Sequence, residues 1–102
     1  MGLDITFYKT KEIFSELENI QKNIIEDKST EIYYSINSYP LLSILKEHGA
    51  KNDSGILITD KIISELNEDC LPSYFDKVDF IKFEQILKNA KVHNFVIAYI
   101  SY

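Results

Sequence analysis

The chain contains no arginine and no tryptophan, and only one cysteine, two prolines and three glycines. Each shortage removes a class of function. Arginine supplies the planar fork that reads guanine and clamps phosphate, and here all eleven bases are lysine against sixteen acids, for a net charge of −5. Phosphate neutralisation drives nucleic-acid affinity, so no direct nucleic-acid binding is expected. Cys70 has no partner for an internal disulfide, and its place between Asp69 and Leu71 suits a small buried hydrophobe. Gly2, Gly49 and Gly55 are too few and too scattered for a phosphate-cradling loop. No apolar run approaches the roughly 18 residues of a membrane helix, and Asp4 stands where a signal peptide would be apolar. The expected compartment is therefore the cytosol. Met1 to Thr6 fits the loose N-myristoylation pattern, but the same residues alternate as a strand, and the strand is the preferred reading.

What remains is enough for one core. A chain of 102 residues, 45% hydrophobic and 13% aromatic, predicts a single small globular domain over residues 1–102. Leu3 to Tyr8 alternates with period two, turning Leu3, Ile5 and Phe7 inward. Thr10 can cap a helix in which Ile13, Phe14, Leu17, Ile20, Ile24 and Ile25 form the apolar stripe. Residues 31–37 fit an alternating strand or an irregular chain. Asn37 or Ser38 then caps a helix carrying Leu41, Leu42, Leu45 and His48, with Gly49 just past its end. Gly55 to Thr59 reads as a short buried strand. Thr59 or Asp60 opens a third helix that has ended by Pro72, and a fourth opens at Asp79. Phe95 to Tyr102, apolar on both faces, suits an interior strand.

Helices between successive strands favour right-handed crossovers. The expected fold is α/β or α+β, with a three- to four-stranded, at least partly parallel sheet packed with about four helices. The rival arrangement pairs residues 31–36 with 55–59 as a hairpin.

No chemistry-bearing motif stands out. His48 and His93 are far apart, there is no HxxxH, CxxC or GxSxG, and no catalytic residue, metal or cofactor is expected. Charge is uneven instead. Residues 60–79 hold six acids and two lysines, whereas residues 80–102 hold one acid and three lysines. Tyr33, Tyr34 and Tyr39 fall within seven residues beside Asn37, and tyrosine favours interfaces because a rigid body ends in a polar tip.

Two resemblances follow from quoted residues. Met1-Gly2-Leu3-Asp4-Ile5, Glu31-Ile32-Tyr33-Tyr34, the helix from Ile58-Thr59 to Cys70 and the ending Tyr99-Ile100-Ser101-Tyr102 resemble a family of small phage and prophage proteins that begin MGLD. The chain lacks that family's Tyr-Trp-Arg-Lys run and its Gly-Phe-Phe-Phe-Gly segment. Tyr33-Tyr34 and Asn37 leading into the Leu41/Leu45 helix, with Phe83 to Ser101 as a helix and last strand, resemble barstar-like nuclease inhibitors. That likeness implies a three-stranded parallel sheet with helices. The inhibitory carboxylates of that family are not matched, since Tyr39 and Ser43 occupy their expected positions.

Together these features predict a non-enzymatic inhibitor, monomeric when free, that binds a basic enzyme or toxin. An immunity protein against a nuclease-type toxin and a phage-encoded anti-defence protein use the same physics. The alternatives are a small enzyme or ligand-binding domain with a dispersed pocket, and a phage structural protein. The expected contact residues are Tyr33, Tyr34, Asn37, Tyr39, Ser43, Glu47, Glu65, Glu68 and Asp69.

Overall fold

The computed structural model describes residues 2–12, 14 and 16–102. The elements run β1 (Asp4–Thr10), α1 (Lys22–Lys28), β2 (Thr30–Ile36), α2 (Tyr39–Glu47), β3 (Ser54–Leu57), α3 (Asp60–Glu65), a 3-10 turn η1 (Glu68–Cys70), α4 (Lys77–Lys91) and β4 (Phe95–Ser101). Among the described residues they form an α+β domain: one four-stranded sheet in the order β2-β1-β4-β3, with four α-helices. Every neighbouring pair is antiparallel.

The parallel sheet expected from the sequence is therefore overturned, and the fold differs in this from the architecture that the barstar-like resemblance implies. The reason lies in the connections. A parallel crossover must carry the chain the length of the sheet, and seven-residue strands are roughly 20 Å long. Helix α1, with seven residues, is only about 10 Å long. The chain instead comes back to the end it left: Thr10 Oγ1 donates to the Lys28 carbonyl at 2.9 Å, and Lys9 sits opposite Thr30. Between β3 and β4, α3 and η1 carry the chain down and α4 carries it back. Ile58 N–H then donates to the Val96 carbonyl at 2.8 Å. The rival hairpin is overturned too, because β2 and β3 are the two edge strands.

The helix expected to begin at Thr10 does not form over the described residues 11, 12, 14 and 16–21. Thr10 is the last residue of β1, paired with Phe95, and helix begins only at Lys22. Ile13 lies outside the described residues, as does Met1 of the opening. Part of the apolar stripe is nevertheless buried, although Ile24 is 41% exposed. Phe14, Leu17 and Ile20 lie against Tyr8, Ile25, Ile97 and Tyr99 on the outer face of the sheet. The Leu17 carbonyl accepts from Gly55 N–H at 2.9 Å. Tertiary pairing to β3 has overridden local helical preference.

The larger core fills the inner face. Leu3 just before β1, Ile5 and Phe7 of β1, and Val96, Ala98 and Ile100 of β4 pack against Leu41 and Leu45 of α2, Ile62 and Ile63 of α3, and Phe80, Phe83 and Leu87 of α4. Cys70 is fully buried there. The caps follow side-chain chemistry. Thr59 Oγ1 accepts from Ile62 N–H, and Gly49 takes φ +98° just past α2. Helix α4 opens at Lys77 rather than at Asp79, because Asp76 and Asp79 form a reciprocal capping box at 2.9 and 3.0 Å. Among the described residues no helix is long and apolar enough to cross a membrane.

Candidate functional site

Helix α2 is about 13 Å long and lies beneath the sheet, where the two edge strands are roughly 14 Å apart. It starts at the Asn37 end of β2. Here Asn37 sits at φ +57°, its Oδ1 accepting from Leu3 N–H at 3.0 Å and its own N–H donating to the Leu3 carbonyl at 2.7 Å. Asn37 is thereby a structural lock as well as a surface residue.

Beside the first turn of α2 lies a groove of about 400 Å³. Its walls are Asn37 and Pro40 on one side, and Glu68, Asp69, Pro72 and Phe75 on the other. Glu68 and Asp69 are exposed, held by the 3-10 turn that Asn67 caps through Asp69 N–H at 2.9 Å. The acidic stretch and the segment entering α2 are thus brought together. At the far end of α2, His48 Nε2 meets Glu65 Oε1 at 2.8 Å. This half-exposed contact ties α2 to the end of α3. It also commits Glu65 to an internal partner, so Glu68 and Asp69 are the freer charges.

The tyrosines are dispersed. Strand alternation turns Tyr33 and Tyr34 to opposite faces. Tyr33 faces inward, its ring centroid 4.6 Å from Phe83 and 6.3 Å from Phe7, and burial raises its hydroxyl pKa. Tyr34, 47% exposed, lies on the outer face with its hydroxyl donating to Asp4 Oδ1 at 2.5 Å. At 100° per residue, Tyr39 and Lys46 share one flank of α2, the flank on which Lys46 Nζ sits 4.9 Å from the centre of the Tyr102 ring. Pro40, Ile44, Glu47 and His48 share the flank turned towards α3 and η1. Ser43 is on the exposed crest between them. Of the nine expected contact residues, Asn37, Glu68 and Asp69 line the groove, Glu47 lies on its side of α2 and Glu65 at the end of α3, Ser43 sits on the crest of α2, and Tyr33, Tyr34 and Tyr39 point elsewhere.

Sequence reasoning missed Pro40, Pro72 and Phe75 as groove walls. It also missed Tyr74, 78% exposed and stacked edge-on against Phe75 at 4.9 Å. The two prolines were a usable signal, since each marks chain held out of regular hydrogen bonding. The His48–Glu65 contact had no local signal, because seventeen residues and a strand separate the pair.

The groove combines exposed carboxylates with an apolar wall. Burial pushes the Cys70 thiol up, which disfavours the nucleophilic thiolate. Among the described residues, no three of His, Cys, Asp and Glu converge as ligands for a metal. Comparison with protein-family models, curated proteins and solved structures finds no match to this chain.

Proposed function

We propose that the chain is a non-enzymatic acidic binding protein that docks on a basic partner protein and blocks it. Its role would be that of an immunity protein against a nuclease-type toxin or a phage-encoded anti-defence protein. One observation carries this reading: Glu68 and Asp69 stand exposed on the wall of a groove built against α2, within the stretch 60–79 that holds six acids and two lysines. Enzymes that act on polyanions present positive clefts, and a compact acidic surface fills such a cleft with electrostatically steered association. The surrounding groups fit a docking surface. Pro40, Pro72 and Phe75 give it apolar floor, and the cap at Asn67 and the His48–Glu65 contact hold its acidic side in place.

The test compares the tagged wild-type chain with a Glu68→Lys/Asp69→Lys variant as bait in the native host. A basic protein retained stoichiometrically by the wild type, lost by the variant and inactive while bound supports the reading. A partner held equally by both baits, or fully active in the complex, contradicts it.

A further inference from the structure

At the opposite end of the sheet, where β1 ends and β2 begins, lies a second cleft of about 310 Å³. We propose that it binds a small phosphate-bearing ligand, with the phosphate held by Lys9, Lys11 and Lys28. The three lysines line the cleft from three places: Lys9 near the end of β1, Lys11 just beyond it, and Lys28 at the last position of α1. In a protein of net charge −5, this is a local reversal of sign.

The walls are held by bonds already made. Lys11 Nζ donates to the His93 carbonyl at 2.6 Å, fixing it against the turn before β4, and Thr10 Oγ1 donates to the Lys28 carbonyl. Lys9 and Lys28 make no ion pair among the described residues. The cleft also contains Asp27, Ser29, Thr30 and Asn94. Ser29 Oγ is buried without a hydrogen-bond partner, alone in this among the side-chain oxygens and nitrogens of the described residues. That hydroxyl is shut off from solvent as the cleft stands, so a phosphate oxygen would become its acceptor only once the Ser29 side chain turns towards the cleft.

Charge selects the ligand class. Three ammonium groups against the single Asp27 carboxylate leave two positive charges, which match a phosphomonoester of about −2. A volume near the lower limit of small-molecule sites points the same way. An extended nucleic acid would have to lie over an acidic, arginine-free surface beyond the cleft. The site shares no residue with the acidic groove, so it stands or falls independently of the inhibitor reading.

The experiment is a backbone-amide NMR titration of the full chain with inorganic phosphate, with a nucleoside monophosphate and with a short single-stranded oligonucleotide. It is repeated on Lys9→Gln/Lys28→Gln and on Lys61→Gln/Lys82→Gln, which removes the same charge from α3 and α4. The expected result is saturable shifts confined to residues 9–11, 28–30 and 94, with a Kd at or below about 1 mM for at least one small phosphate. Affinity should fall about tenfold or more in the first double variant and change less than about twofold in the second. Which small phosphate binds more tightly then separates a free phosphate from an organic phosphoester. Shifts that never saturate, equal weakening by both double variants, or saturable binding of the oligonucleotide alone would overturn the proposal.

Discussion

Replacing Asn37 tests the junction on which the acidic groove is built. Three properties meet at this residue: a left-handed backbone at φ +57°, a side-chain oxygen that satisfies Leu3 N–H, and a place on the groove wall. Asn37→Ala removes the acceptor and leaves the amide of buried Leu3 unpaired, at about 1–3 kcal/mol. It also puts a Cβ without a compensating polar group into the left-handed region, at roughly 1 kcal/mol more. The sum is about 2–4 kcal/mol, a large share of the roughly 5–15 kcal/mol that holds a domain of this size. Asn37→Gly loses the same acceptor but relieves the backbone, so it should be less damaging than alanine. Asn37→Asp keeps an acceptor and tolerates the conformation, and should remain within about 1 kcal/mol of wild type. Urea unfolding followed by far-UV circular dichroism reads all three. At a slope near 2 kcal/mol per M, the alanine variant's midpoint should fall by about 1–2 M. An alanine variant within about 0.5 kcal/mol of wild type, or a glycine variant worse than alanine, would refute the described geometry.

Two further outcomes follow from packing and ionisation. Phe83→Ala should cost about 3–5 kcal/mol, since the ring is fully buried against Phe7 and Tyr33, whereas Val78→Ala on the exposed side of the same helix should cost less than about 0.5 kcal/mol. Comparable thermal shifts for the two would contradict the placement of α4. Burial is the main cause that pushes the Tyr8 hydroxyl up from 10.0 to about 12. The unfolded chain therefore releases its proton near pH 10 while the folded chain retains it, so stability is complete below pH 10 and falls as pH rises towards 12. Tyr8→Phe should flatten that fall in a series of unfolding curves, and an unchanged alkaline profile would count against the buried environment of Tyr8.

How much was legible in the sequence depended on how local the controlling physics was. The inward set Leu3, Ile5 and Phe7, the stripe Leu41, Leu42 and Leu45, and the Thr59 cap all appear where their spacing or chemistry predicts. Over the described residues 11, 12, 14 and 16–21 the expected helix failed because the Leu17 carbonyl pairs with Gly55, an alternative that no window of helical periodicity contains. Strand direction failed for a similar reason. The order of elements was correct, but whether a connection crosses the sheet or comes back depends on helix length, and periodicity had overstated α1. Charge proved more readable than aromatic clustering. The acidic maximum around Glu68 and Asp69 sits on one groove, while alternation along β2 separates Tyr33 from Tyr34 across the sheet.

On the proposed reading, exposed carboxylates at the Asn37 end steer a basic partner into place. The most direct test of this steering is the association rate constant of the chain with the partner it captures, measured by stopped flow at low and at physiological ionic strength. For the wild type the rate should fall about tenfold or more as salt rises, and Glu68→Lys/Asp69→Lys should already be slow at low salt. A wild-type rate indifferent to salt, or a charge-reversed variant that associates as fast as the wild type, would rule out electrostatic steering by Glu68 and Asp69.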